Sequence, residues 1–584
     1  MPKDSLILIH TPSVFDFRER PTLWGPISDL VPSNPVFDMY PIGFITIAEH
    51  LERHGYRVRI VNLAVRMLRD PEFEVEKFIG RLNSSAFGID LHWLPHAHGS
   101  IEIARHIKRI HPQTPVIFGG ISSSYFHEEL IGYHQIDYVL RGDSTEEPLR
   151  QLIECIETGS QSSDLRRIPN LTWKDKKGIP QINPLSYVPD NLDNVIIDYS
   201  YPIQAAAREL NLKNFLPFNN WIKYPITAAL TCRGCTHNCT ICGGSKYAFQ
   251  LFMGRSRPAF RNPDILAQDI RRISRFSRGP VFVLGDIRQD GMMYAKRFLK
   301  SLQGIKNLVI LEFFWPVDRE FMEMIAGTVP DFVAQLSPES HDPKVRSYTN
   351  NPFSGHSIET SIKHILSVGC RRIDVFFMSG LPGQTYRSVM DSIEYCQQLY
   401  HTFDGDNRLM FYLSPLAPFL DPGSLAYEKP AQYGYKRFCN TLEDHRRALL
   451  APSWKYVLSY ETRWMNRSEI VGSTYQAALL LNRYKLKFGQ ISREHAQSIE
   501  ERTRRAIELM SFIDRSMATK NSDEVLQIML KHKSRIEEVN NSTICDKKDL
   551  DLPVGRMPIR ILKTAGLVLE ESIKNIGRKI GSFQ

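Results

Sequence analysis

The first 156 residues alternate short apolar runs with amphipathic stretches. Residues 5–10 (SLILIH), 56–63 (YRVRIVNL), 86–90 (AFGID), 114–120 (TPVIFGG) and 136–143 (IDYVLRGD) read as strands by length and β-branched content. Between them, residues 42–56 space their apolar positions as a helix does and stop at Gly55. Residues 98–112 form an amphipathic helix ended by Pro112, and residues 146–157 (EEPLRQLIECIE) form another. This alternation predicts a doubly wound, Rossmann-like parallel sheet with ligands at the strand ends. Gly119-Gly120 and Arg141-Gly142-Asp143 stand at two of those ends, where glycine lets backbone approach a bulky ligand. A tight strand-to-helix turn accounts for the same residues equally well.

The alternation then breaks. Residues 168–184 read as a hairpin around Lys176-Lys177-Gly178, and residues 188–202 as a connector rich in Pro and Asp. Six further strand patterns follow: residues 224–231, 279–286, 308–314, 332–337, 372–380 and 408–415. With crossover helices between them they predict a partial, TIM-like (β/α)6 barrel whose site lies at the C-terminal strand ends. Beyond residue 430 the pattern is helical. The expected chain is therefore an α/β protein with units at 1–160, 161–222 (hairpin and connector), 223–430 and 431–584.

Composition narrows this little. With 42% hydrophobic and 23% charged residues, a net charge of +9 permits an anionic substrate or a nucleic acid but argues for neither, and no nucleic acid is expected. No run approaches the roughly 18 apolar residues of a membrane span. The N-terminus (MPKDSLILIHTPS) lacks a small-residue cleavage site and reads as a first strand rather than a signal peptide. Nine cysteines, four of them within residues 232–242, argue for metal binding in a reducing compartment, hence a cytoplasmic location.

That cysteine run follows directly on the strand at 224–231. Cys235, Cys239 and Cys242, spaced CxxxCxxC, can wrap three corners of a four-iron cluster and leave one iron open to an outside ligand. The rival is a closed zinc site that adds Cys232; its two cysteine pairs stand three residues apart, against roughly 12–20 in common zinc modules. With its Arg-Gly lead-in and trailing Gly243-Gly244, the loop resembles that of the radical S-adenosylmethionine superfamily. Residues 5–430 resemble the cobalamin-binding branch of that superfamily. Ile241 replaces an aromatic residue more usual there, which alters packing over the cluster and not ligation.

Later strand ends continue the resemblance in order. Leu284-Gly285-Asp286 stands where the family receives the cofactor's amino group. Ser337-Pro-Glu339-Ser340 resembles the segment whose glutamate contacts ribose hydroxyls. Gly380-Leu-Pro382-Gly383-Gln-Thr385 resembles the turn packed on adenine, and residues 413–418 with Asp421-Pro-Gly423 resemble the sixth strand and its turn. The resemblance implies a [4Fe-4S] cluster on Cys235, Cys239 and Cys242. It also implies S-adenosylmethionine held by Gly285, Asp286, Glu339, Ser340, Gly380, Pro382 and Gly383. Reductive cleavage of that cofactor would give a 5′-deoxyadenosyl radical that takes hydrogen from an unactivated carbon. In the cobalamin branch a methyl group then usually passes from cobalamin to that carbon. The alternatives are a radical rearrangement or cyclisation, or a non-catalytic iron–sulfur or zinc protein. A methylthiotransferase would need a second cluster, for which the first domain offers only Cys155.

In the first domain, Thr11-Pro12, Pro41-Ile-Gly43, Gly119-Gly120 and Gly142-Asp143 resemble a cobalamin cradle. Asp90-Leu-His92-Trp-Leu-Pro95 superficially resembles the Asp-x-His-x-x-Gly motif whose histidine ligates cobalt. Pro95 replaces the glycine, however, and the segment follows the third strand rather than the first, so that mode lacks support here. Such a loop could still lie beneath the corrin with His92 or His96 touching cobalt, or its histidines could be loop packing. The aromatic residues beyond 430, Tyr435, Trp454, Tyr460 and Trp464 among them, either close the barrel mouth or form a helical core. Leu562, Leu569, Ile573, Ile576, Ile580 and Phe583 share a helical stripe beside Lys574, Arg578 and Lys579. That stripe suits docking on the chain itself or a partner, with peripheral membrane contact as the alternative. Expected partners are an electron donor such as flavodoxin or ferredoxin and a small-molecule or peptide substrate.

Overall fold

The computed structural model describes residues 3–25, 36–159, 162–209, 216–415 and 419–540, and isolated positions between 552 and 573. The first sheet holds β1 (Asp4–His10), β2 (Val58–Asn62), β3 (Ser84–Asp90), β4 (Val116–Gly119), β5 (Tyr138–Leu140), β6 (Leu171–Lys174) and β7 (Pro180–Ile182), in the order β2-β1-β3-β4-β5-β6-β7. Strands β1 to β5 are parallel. Their order reverses between β1 and β3, the switch point at which open α/β sheets bind ligands. Near-continuous apolar runs, buried on both faces, are what such parallel strands require.

The hairpin β6–β7 forms around Lys176–Gly178 as its turn residues predict, but it does not stand apart in a connector. It extends the first sheet, β6 pairing antiparallel with β5. The side chain responsible is Trp173, 1% exposed, whose indole donates to Asn183 Oδ1 at 3.2 Å. Burying so large a ring stabilises the sheet edge by roughly 1.5–3 kcal/mol. On the other side, helix Ala97–Ile110 lies close against the chain that leaves β1. The N–H of Gly99 donates to Ser13 O at 3.0 Å, and any Cβ at Gly99 would overlap the Pro12 carbonyl.

The second sheet is six-stranded and wholly parallel. It comprises β8 (Thr227–Leu230), β11 (Val281–Leu284), β12 (Val309–Phe313), β13 (Phe332–Glu339), β14 (Arg372–Ser379) and β15 (Leu409–Pro415), in the order β15-β14-β13-β12-β11-β8. This is the partial barrel expected from the apolar runs. Two short strands, β9 (Cys232–Arg233) and β10 (Ala259–Phe260), pair antiparallel beside its first strand. The C-terminal region is helical, as read from its periodicity, apart from a ribbon of β16 (Tyr435–Arg437) and β17 (Tyr460–Thr462). Its helix Arg467–Lys487 packs on β15 and on helix Tyr386–Thr402. One apolar core runs through both sheets. Among the described residues no helix is long and apolar enough to cross a membrane. The basic tail stripe lies largely outside the described residues; Leu569 and Ile573 are described and exposed.

The Gly99 contact can be tested directly. Gly99→Ala is expected to cost about 1–3 kcal/mol through overpacking against Pro12, read as a lower midpoint in thermal unfolding followed by circular dichroism.

Candidate functional site

The C-terminal ends of the first sheet face the loop that follows β8. Between them lies a cavity of about 410 Å³. Its first wall comes from Leu8, Gly88, Ile89, Asp90 and His92 at the switch point and from the turns after β4 and β5. The opposite wall is Leu230, Cys232, Arg233 and Gly234. Of the residues expected to cradle cobalamin, Pro41, Gly43, Gly119, Gly120, Gly142 and Asp143 line this cavity. Pro12 does not; it packs beneath Gly99. A Cβ at Gly43 or Gly119 would meet nothing within 4 Å, so both open onto space a ligand can fill. Gly120, at φ 116°, is bound to be glycine by its backbone and by the His92 backbone against it. Asp143 is committed elsewhere: Arg255 grips its carboxylate through Nε at 2.6 Å and Nη2 at 2.8 Å.

The cysteine loop is tied down on every side. Arg233, between Cys232 and Cys235, reaches Glu146 at 2.5 Å and Ser144 Oγ at 3.0 Å. Asn350 Nδ2 donates to Asn238 O at 2.9 Å and Ala426 N to Thr240 O at 2.9 Å. The Gly243 N–H donates to Asp421 Oδ2 at 3.1 Å, and the Trp93 side chain hydrogen-bonds the same carboxyl group. Cys235 and Cys242 each receive a backbone N–H at 3.3 Å on sulfur, from His237 and Gly244. Burial raises all three thiols, Cys239 to about 12; Cys235 lies near enough to raise Cys239, and both lie near enough to raise Cys242. Convergent cysteines with N–H donors on their sulfurs fit a cluster, whose binding would displace the thiol protons. Cys232 is different. It sits on β9, donates to the Gly234 carbonyl at 3.4 Å, and is pushed by burial to about 12.

The other strand ends gather around this loop. Glu339, at a register break in β13 and at φ 65°, is buried, with Oε2 lacking a hydrogen-bond partner. Burial raises it to about 7. An orphaned carboxylate oxygen beside Cys239 fits the hydroxyl-accepting role expected for S-adenosylmethionine. Ser340 instead serves its own turn, its Oγ accepting from Asp342 N at 3.2 Å. The Gly380–Thr385 turn is covered by the C-terminal ribbon: Tyr435 Oη donates to Gly380 O at 3.0 Å, and Tyr460 fills the space a Gly380 side chain would need. Tyr348 closes on Gly383 in the same way, and Pro382 lies between the two. Residues 416–418 of the sixth-strand motif lie outside the described residues.

Asp286 holds a different set of partners from the ammonium expected there. Arg288 takes it at 2.6 Å, and Phe314 N donates to Oδ2 at 2.8 Å. The less engaged carboxylate at this end is Glu312 on β12. It accepts from the backbone N–H of Gly285, and burial followed by the charge of Asp286 raises it to about 7. Glu312 was not singled out from the sequence, although a lone acid inside the apolar run LVILEFF was a usable signal. Gln289, whose Oε1 accepts from Thr236 N at 3.1 Å and from Cys235 Sγ at 3.4 Å, carried no such signal.

Beside the cavity, three imidazoles cluster around Asp90. His10 contacts Asp90 at 3.0 Å and Phe37 O at 2.9 Å; His92 Nδ1 contacts Asp90 Oδ2 at 2.6 Å; His96 Nδ1 contacts Thr11 O at 3.1 Å. Burial opposes charge on His10, yet Asp90 lifts it above the ordinary value, while burial lowers buried His96.

Comparisons with known proteins agree with this arrangement. Residues 30–152 match the family described as the B12 binding domain. The chain is 20% identical over 411 residues to cytidylyl-2-hydroxyethylphosphonate methyltransferase of Streptomyces wedmorensis, covering 62% of this chain and 73% of that one. It is 24% identical over 278 residues to hopanoid C-3 methylase of Methylococcus capsulatus, 47% of each, so it spans about half of that relative. Its fold is similar to that of the radical S-adenosylmethionine methyltransferase TsrM of Kitasatospora setae, solved with cobalamin and a [4Fe-4S] cluster. That likeness has a TM-score of 0.57 at 14% identity and covers 87% of this chain and 100% of that one. The cobalamin-dependent S-adenosylmethionine radical enzyme OxsB, solved with aqua-cobalamin and S-adenosylmethionine, is similar at a TM-score of 0.54 and 9% identity, covering 99% and 80%.

Two outcomes are expected. After anaerobic reconstitution with iron and sulfide, Cys235→Ser, Cys239→Ser or Cys242→Ser loses the broad visible absorbance and most bound iron, whereas Cys232→Ser keeps both. Gly119→Ala changes stability by less than about 0.5 kcal/mol, having no neighbour to strike, yet lowers the corrin absorbance retained after desalting because its methyl enters the cavity.

Proposed function

We propose that this chain, a member of the cobalamin-binding branch of the radical S-adenosylmethionine enzymes, transfers a methyl group to an unactivated carbon of a small-molecule or peptide substrate. The observation that carries the reading is the shared cavity: the switch point of the first sheet and the cysteine loop of the second form opposite walls of one space. When bound, the cluster, S-adenosylmethionine and cobalamin supply electron transfer, hydrogen abstraction and the methyl group.

The chain's own part is placement and exclusion of water. Cys235, Cys239 and Cys242 would hold the cluster, with the His237 and Gly244 N–H groups favouring charge on sulfur. Glu339 offers its unpartnered oxygen to the ribose of S-adenosylmethionine, and Glu312 rather than Asp286 is the carboxylate suited to an ammonium. Tyr435, Tyr460 and Tyr348 cover the turn at Gly380–Gly383 and hold its shape, and the side of the turn they leave would pack against the adenine ring. Electrons would come from a small redox protein of the flavodoxin or ferredoxin kind.

The test is product analysis under anaerobic conditions. Protein reconstituted with cluster and cobalamin is reduced with dithionite and given its substrate, supplied as a small-molecule and peptide extract, with S-adenosylmethionine deuterated in its methyl group. 5′-Deoxyadenosine and S-adenosylhomocysteine are both expected, and both vanish in Cys239→Ser. Absence of 5′-deoxyadenosine from the wild type overturns the radical reading. Its formation without S-adenosylhomocysteine overturns methyl transfer in favour of rearrangement or cyclisation.

A further inference from the structure

We propose that His92 donates its Nε2 to the cobalt of the bound cobalamin, with Asp90 as the positioning residue behind it; this rests on the reading that the cavity holds cobalamin. His92 follows β3 directly at the switch point and lines the cavity beside Asp90, its side chain 27% exposed. Its Nδ1 lies 2.6 Å from Asp90 Oδ2. A carboxylate only accepts, so Nδ1 carries the hydrogen and Nε2, across the ring, carries the lone pair. A histidine whose far nitrogen is oriented by a carboxylate is the arrangement metal sites use to fix ring direction and raise ligand basicity.

The neighbouring imidazoles narrow the assignment. His10 meets two acceptors, the Asp90 carboxylate at 3.0 Å and the Phe37 carbonyl at 2.9 Å, so both its nitrogens donate and neither has a lone pair to offer. It pins Asp90 from behind instead. His96 donates through Nδ1 to Thr11 O, is 1% exposed and does not line the cavity. The three rings do bring ligand atoms within 4.8 Å of one another. A three-histidine ion site would nonetheless require His10 to abandon both hydrogen bonds in a fully buried position, leaving the Asp90 and Phe37 oxygens without their donor.

The test reads the cobalt and not turnover. Wild-type protein with ordinary histidine, and the same protein with ¹⁵N-histidine, is loaded with cob(II)alamin, desalted and examined by electron paramagnetic resonance. The three-line nitrogen splitting of the cobalt signal is expected to become two-line with ¹⁵N-histidine. It is expected to disappear in His92→Gln and to return when imidazole is added to His92→Ala. Splitting unchanged by ¹⁵N-histidine, which marks the cofactor's own base, overturns the proposal while leaving cobalamin binding intact; so does a signal without splitting. Stoichiometric zinc that His92→Gln abolishes, with no histidine nitrogen on cobalt, overturns it in favour of an ion site. Failure to retain any corrin overturns the cobalamin reading itself.

Discussion

Two buried ion pairs, Arg233–Glu146 and Arg255–Asp143, set the distance between the sheets, and the site depends on that distance. Their side chains are at most 10% exposed. Burial works to raise Glu146, yet Arg233, by charge and hydrogen bond, holds it down to about 2. Such pairs add little net stability when compared with apolar packing, but removing one partner strands a buried charge at a cost of about 3–5 kcal/mol. Here they act as a register device. Arg233 sits inside the cysteine loop, and Glu146 starts the helix after β5. Glu146 also accepts from Thr46 Oγ1 at 2.8 Å, on the helix opened by Pro41. One network therefore places the cysteine loop and the cavity-lining turns together.

The strands of both sheets were legible because parallel strands buried on both faces must be apolar throughout, and each ends in turn residues that stop the run. The cysteine spacing and the strand-end segments were legible for a related reason: they are local in sequence. What escaped was made by long-range contact. Nothing near Lys176 says that its hairpin will find the edge of β5, since Trp173 could have buried its ring against any neighbour. Asp143 and Asp286 looked like carboxylates free for a ligand. Their arginines resolve them differently: Arg255 is distant in sequence from Asp143, while Arg288 lies two residues beyond Asp286 and was readable in principle. Pro12 stands at a strand end yet serves the helix beside it through Gly99, a contact set by helix placement.

The aromatic residues beyond 430 divide between the two roles left open for them. Trp454 and Tyr475 are core, joined by an indole-to-hydroxyl hydrogen bond at 3.0 Å. Tyr435 and Tyr460 are core and roof at once, buried against each other at 5.4 Å while covering Gly380. The C-terminal region thus fixes the shape of a barrel turn that lies 55 residues before Tyr435 in sequence, and composition could not distinguish packing from site-building because these residues do both.

The segment after β3 shows how one short stretch serves two centres. Trp93 is extended, at φ −144° and ψ 146°, so its side chain and that of His92 leave the chain on opposite sides. His92 turns to the cavity wall with Asp90. Trp93 turns to Phe419 and to Asp421, the carboxylate that also accepts the N–H of Gly243 immediately after Cys242. A shift of this segment would move a cavity-lining imidazole and a prop of the cysteine loop together. The ion pairs tie the two sheets together, and the His92–Trp93 step ties the cavity wall to the end of the cysteine loop.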